Sequence, residues 1–223
     1  MNKAIPKINT QLRSHTILVP EVYREATGVL INGKRIKSLV FSTDVAVIAN
    51  CNADAVIAVY PFTPTIQITE AIISVAQRPV FVGVGGGTTA GKRVESIALD
   101  AELHGATAVV LNAPTATEFV QNLADDIDIP VVLTIVSLNE DLEKRMLHTK
   151  ANIINVSGGK YTVKIVKKLR EIDPNFPIIA TGGPTEETVR EVIQAGANAV
   201  TFTPPTNGEI FKGMMEEYRH RYD

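Results

Sequence analysis

The sequence has no tryptophan, a single cysteine and four histidines in 223 residues, and aromatic side chains make up only 5% of it. One cysteine, Cys51, excludes an internal disulfide and fits a reducing compartment. Excess charge is missing too: 24 acidic against 22 basic residues give a net charge of −2. That balance gives no electrostatic footprint for nucleic acid or for a basic membrane-binding face. No apolar run approaches the ~20 residues that cross a bilayer, and the opening MNKAIPKINTQLRSH lacks a signal peptide's apolar centre. Nowhere do His, Asp and Glu cluster with metal-site spacing. The expectation is a soluble, cytoplasmic protein with neither a nucleic-acid nor a membrane partner.

What is present is apolar (45%) and periodic. One phrase recurs as Asn52-Ala53-Asp54-Ala55-Val56, Gly105-Ala106-Thr107-Ala108-Val109 and Gly196-Ala197-Asn198-Ala199-Val200, with a weaker copy at Lys150-Ala151-Asn152-Ile153-Ile154. Between the copies stands a proline-led apolar run: Pro79-Val80-Phe81-Val82, Pro130-Val131-Val132-Leu133 and Pro177-Ile178-Ile179. With Leu39-Val40-Phe41 these predict eight strands, at 38–42, 54–60, 79–84, 107–112, 130–136, 152–156, 177–181 and 198–203. Runs apolar at every position are buried on both faces, as parallel strands are.

The intervening segments read as helices. Val94, Ile97, Ala98 and Ala101 form one apolar stripe, and Val163, Val166 and Leu169 another. Thr115–Glu118 and Ser137–Glu140 have capping-box spacing, and Thr185 precedes a helix carrying Val189, Val192 and Ile193. A last helix after Asn207 is expected to turn Ile210, Phe211, Met214 and Tyr218 inward. Eight such units over residues 38–223 predict a single α/β domain, a (β/α)8 barrel, with an open doubly wound sheet as the alternative. Residues 1–37 lack the rhythm and read as an N-terminal extension. Within it, Val29-Leu30-Ile31 and Lys34-Arg35-Ile36 flank Asn32-Gly33, a strong hairpin signal. The extension and the apolar surface together suggest a homo-oligomer.

A barrel of this kind carries its chemistry on the loops after its strands. His104, His148 and Cys51 end helices and so fall on the opposite face, while His15 and His220 lie in the terminal segments. The functional face therefore draws on Ser42, Thr43 and Asp44; Tyr60 to Thr63; Gly85 to Lys92; Asn112; Ser137; Asn155 to Lys160; Thr181 to Gly183; and Thr203 to Gly208. Such a Gly-, Thr-, Ser- and Asn-rich lining suits an oxygen-rich anion held by N–H and O–H donors.

The phosphate-binding loops are expected at Ser157, Gly158 and Gly159; at Thr181, Gly182 and Gly183; and at Thr206, Asn207 and Gly208. Asp44, the one acid directly at a strand end, is either a general base or a helix cap. Lys160 and Asn112 are its candidate partners for a developing oxyanion. Gly86 to Arg93 imitates a nucleotide-binding Gly-x4-Gly-Lys loop, but Arg93 stands where a magnesium-binding Ser/Thr is needed. Gly85, Gly86, Gly87, Thr88, Thr89 and Lys92 read instead as a ligand-covering loop.

From strand six onward the chain resembles the ribulose-phosphate-binding group of TIM barrels, which includes the histidine-biosynthesis isomerase and cyclase barrels and, more distantly, flavin mononucleotide barrels. Thr181-Gly182-Gly183 carries the resemblance. Strand eight departs from it, because Pro204 and Pro205 remove two N–H donors where the group has a Gly-Ser or Gly-Arg turn. The resemblance implies an isomerase or lyase acting on a small phosphorylated metabolite, with no cofactor required. The alternatives are a non-catalytic, regulatory barrel that keeps the phosphate site, and a flavin mononucleotide (FMN) barrel.

Overall fold

Asn32 and Gly33, both at positive φ (47° and 81°), reverse the chain between β1 (Val29–Ile31) and β2 (Lys34–Ile36), which pair antiparallel as the Asn-Gly signal predicts. The barrel strands follow: β3 (Ser38–Phe41), β4 (Ala55–Ala58), β5 (Val80–Gly85), β6 (Ala108–Leu111), β7 (Val131–Ile135), β8 (Ile153–Val156), β9 (Ile178–Thr181) and β10 (Ala199–Phe202). All neighbours pair parallel, and β10 closes on β3 with Thr201 opposite Leu39, so no sheet edge remains. The molecule is a (β/α)8 TIM barrel. This computed structural model describes residues 6–8, 10–11, 15–87 and 89–221.

Eight helices alternate with the strands: α1 (Val45–Ala49), α2 (Ile66–Ala76), α3 (Lys92–Leu103), α4 (Thr117–Asp126), α5 (Leu142–Leu147), α6 (Thr162–Ile172), α7 (Glu186–Gln194) and α8 (Asn207–His220). Successive strand residues point alternately inward and outward. Leu39, Ile57, Phe81, Val110, Val132 and Ile179 fill the barrel, while Val40, Val56, Val82, Val109 and Ile154 pack under the helices. Both faces being covered explains the unbroken apolar runs. Val29, Ile31 and Ile36 of the hairpin join the inner cluster and close the N-terminal end of the barrel.

Two expectations about helices need correction. Thr115 does not cap α4; its hydroxyl donates to the Asn112 carbonyl at 2.5 Å. Glu140 does fold back, accepting from Val136 N–H and Ser137 N–H, but α5 starts later and is capped by Asp141.

The larger correction concerns α8. No residue of α8 is buried, and Phe211 and Tyr218 are exposed rather than inward. The sector an eighth helix would cover is filled by the extension. Val22, Tyr23 and Ala26 are buried there, Tyr23 meets Phe202 edge-on at 5.8 Å, and Glu25 pairs with Arg190 of α7. With that surface already dry, α8 has little apolar area left to cover.

Candidate functional site

At the C-terminal end the interior of the barrel changes chemistry. Above the apolar layer of Val110, Val132 and Ile179 come Thr134 on β7, Asn155 on β8, Thr181 on β9 and Thr201 on β10. Thr134 and Asn155 are register partners, as are Thr181 and Thr201. Parity fixes their direction: each stands two residues after an inward-facing apolar residue. The result is an uncharged hydroxyl and amide layer at the mouth. Asn155 Nδ2 donates to Thr134 Oγ1 at 3.3 Å, while its Oδ1 is buried with no hydrogen-bond partner among the described residues.

The loops expected to hold phosphate lie side by side at this end, after β8, β9 and β10, and they differ in how much capacity they have left. After β8, Ser157 N–H is spent on Ile135 O and Gly158 N–H on Thr162 Oγ1, while Gly159, Lys160 and Tyr161 make a short 3₁₀ turn. Lys160 is exposed, its ammonium 5.2 Å from the Tyr161 ring centre.

After β9, Gly182 is buried, and a side chain there would meet Val200, Val189 and the Tyr23 hydroxyl. Gly183 has φ +81°, and a Cβ on it would sit 2.7 Å from Thr188 Oγ1, so both conformation and space demand glycine. Its N–H makes no backbone bond among the described residues.

After β10, Thr206 is already committed. Its N–H and hydroxyl both donate to Glu209 Oε2 at 2.8 Å, and Glu209 N–H returns a bond to Thr206 Oγ1 at 3.2 Å. Those bonds hold the Glu209 carboxyl below its ordinary range. Asn207 and Gly208 begin α8 and are exposed. The end of α7 is similar: Thr185 and Thr188 form its capping box, and the Glu187 carboxyl is held low by its own N–H and then by the Thr185 hydroxyl. Both helix N-termini thus carry an anion of their own.

The proposed catalytic trio is dispersed over three sectors of the rim, after β3, β6 and β8, and no hydrogen bond or ion pair among the described residues joins its members. Asp44 caps α1, its Oδ1 accepting from Ala46 N–H at 2.9 Å and Val47 N–H at 3.2 Å. Asn112 anchors backbone: its N–H donates to Gly85 O, and its own carbonyl lies so close to Gly86 that any Cβ there would run into it.

Gly86 is therefore glycine for packing against Asn112. Gly86 and Thr89 bridge each other in a tight turn, with Gly86 N–H donating to Thr89 O at 2.9 Å. Gly87 lies within that turn, Gly85 and Lys92 stand on either side of it, and Thr88 lies outside the described residues. The turn borders a cavity of about 220 Å3 with Tyr60, Gly83 and Asn112. A larger cavity, about 500 Å3, opens between Tyr23, Thr181, Gly183, Glu186, Thr201 and Thr203.

Sequence reasoning missed one charged pair at this end. Arg145 on α5 is 8% exposed; its Nε stands 3.3 Å from Glu140 Oε2, and Nη1 donates to the Thr115 carbonyl. It ties the loop after β6 to the loop after β7. Nothing in the spacing signals it, since residues five apart share no helical face. Among the described residues no group of three or more His, Cys, Asp or Glu is placed to hold a metal, and no helix is long and apolar enough to cross a membrane.

No family model and no curated protein matches the chain. Solved structures do match in fold. A mandelate oxidase variant with a monooxide FMN adduct superposes with a TM-score of 0.61 at 17% identity, over 80% of this chain and 68% of that one. A putative phosphonomutase from Burkholderia cenocepacia gives 0.61 at 15%, over 82% and 93%. The 4-hydroxy-tetrahydrodipicolinate synthase of Methylacidiphilum fumariolicum gives 0.58 at 16%, over 79% and 66%. At such identities the likeness establishes the TIM barrel; it does not single out the ribulose-phosphate-binding or histidine-biosynthesis barrels within that superfamily.

Proposed function

We propose that the C-terminal mouth of this barrel takes a small phosphorylated molecule and acts on it as an isomerase or lyase. The observation that carries the reading is on neighbouring loops: Lys160 stands exposed after β8, and Gly183 after β9 has an N–H that makes no backbone bond among the described residues. After β10 the Thr206 N–H and hydroxyl are already taken by Glu209, so in this reading the phosphate sits over the loops after β8 and β9. A mutase and a synthase among the fold neighbours agree with the reaction class by analogy alone. In this reading Asp44 moves the proton, and Lys160 and Asn112 meet the developing oxyanion. A non-catalytic sensor is the second reading, favoured by Asp44 Oδ1 being engaged as a cap. An FMN phosphate would use the same donors, and a yellow purified protein would identify it.

A thermal-shift series with phosphorylated sugars, inorganic phosphate and FMN tests all three. A ligand at 100 times its Kd adds about 2.7 kcal/mol, or about 5–10 °C in Tm for a chain of this size. Lys160→Met should weaken the hit about tenfold; unchanged affinity removes the phosphate placement. Asp44→Asn keeps the cap, because Asn caps as well as Asp, and removes only the base. Turnover lost with binding kept supports the enzyme, whereas binding without turnover in both proteins supports the sensor.

A further inference from the structure

Asn155 is a planar amide with two donor hydrogens and two acceptor lone pairs, and the fold uses little of that capacity. It is 8% exposed, it points into the barrel, and among the described residues its side chain makes one bond, the 3.3 Å contact to Thr134 Oγ1. Oδ1 has no partner among the described residues. Buried polar atoms are nearly always paired, so such an exception calls for a missing partner. Thr134, 6% exposed, and Thr201, 7% exposed, put hydroxyls in the same layer, with Thr181 beside them at the rim. Among the described residues no charged side chain belongs to that layer.

We propose that Asn155, with Thr134, Thr181 and Thr201, forms the hydrogen-bonding floor for the uncharged polar part of the ligand, a hydroxyl or carbonyl carried by a phosphorylated polyol. The proposal rests on the reading that the ligand enters at the C-terminal mouth. Recognition is then divided: the rim at Lys160 and Gly183 meets the phosphate, and the floor meets the carbon chain's oxygen. A neutral floor suits a neutral group, because an amide and hydroxyls can pair it fully without burying a charge.

The test uses the double variant Thr134→Val/Asn155→Leu, which removes both polar partners and keeps their shapes. Replacing both members of a buried pair with apolar groups is near neutral or stabilising. The melting temperature of the ligand-free variant should therefore equal or exceed that of wild type; a fall of more than about 4 °C would mean that Asn155 is structural and would overturn the proposal. The second arm compares the Kd of glycerol 3-phosphate with that of inorganic phosphate. Wild type should prefer glycerol 3-phosphate at least tenfold, and in the variant that preference should vanish with phosphate affinity unchanged. A preference that survives in the variant, or that is absent from wild type, sinks the floor. If wild type binds neither probe, the phosphate reading fails instead, and the melting temperature still decides the role of Asn155.

Discussion

The two ends of the barrel are built from similar residues and used in opposite ways. At the N-terminal end the polar residue of each repeated phrase accepts an N–H from the start of the preceding strand. Asp54 Oδ2 takes Lys37 and Ser38 N–H at 2.9 and 3.0 Å, Thr107 Oγ1 takes Val80 at 3.3 Å, Asn152 Oδ1 takes Val131 at 2.8 Å and Asn198 Oδ1 takes Ile178 at 2.9 Å. Arg170 spans the same end, donating to the carbonyls of Gly196, Phe176 and Pro174 and to Asn198 Oδ1. Burial pushes its guanidinium below the ordinary range, and this set of acceptors offsets that cost. At the C-terminal end Asn155 Oδ1 finds no partner among the described residues and the mouth is lined with hydroxyls. In this architecture the first end serves stability and the second serves ligands.

Breaking the satisfied end should give the largest effects. Arg170→Met leaves the Gly196 and Phe176 carbonyls and Asn198 short of a charged donor. Each such bond is worth about 1.5–3 kcal/mol before water substitutes for it, so a net loss of about 3 kcal/mol is expected. For a chain of this size that lowers Tm by about 6–12 °C. A scanning-calorimetry shift under 2 °C would mean that the Arg170 cluster is ornamental.

A smaller, cleaner contrast comes from Asn152. Asn152→Ala strands the Val131 N–H and should cost about 2 kcal/mol, while Asn152→Asp retains an acceptor and should recover most of it. The matching truncation at the other end, Thr203→Ala, removes an exposed hydroxyl and should stay within about 0.5 kcal/mol. Urea midpoints at constant m measure all three. Equal losses at the two ends would erase the distinction.

That distinction explains what could be read from the chain before its structure. The repeated Ala-x-Ala phrase was visible because the same strand-start bond recurs around the barrel, so physics imposes one residue class at one position. The Asn-Gly hairpin was legible because few residues tolerate its two positive φ angles. The packing of α8 was not, since an apolar stripe such as Ile210, Met214 and Tyr218 looks the same whether or not the extension has taken its seat. Asp44 was ambiguous for a related reason: a carboxylate at a strand end is placed equally well to cap a helix and to take a proton. Arg145 and Glu140 gave no signal, because their meeting depends on how two loops fold.

The extension itself offers the smallest and most specific test. Among the described residues of the extension, Tyr23 is the one polar side chain buried against the barrel, between Gly182 and Phe202, with its hydroxyl donating weakly to Thr201 O at 3.4 Å. Burial pushes the phenol up to about 12, against about 10 in an unfolded chain. A folded pKa above the unfolded one means that the stabilisation is fully present below pH 10. It is lost as pH rises toward 12, because the unfolded state sheds its proton first. Tyr23→Phe removes that titration and a long hydrogen bond, so at pH 7 it should cost less than about 1 kcal/mol. The difference between wild-type and variant stability should stay flat up to pH 10, then move steadily in favour of the variant between pH 10 and 12. Every other group is common to both proteins and cancels in that difference. A flat difference through pH 12 would show that the Tyr23 hydroxyl reaches water, and that the extension lies over the last strand without sealing it.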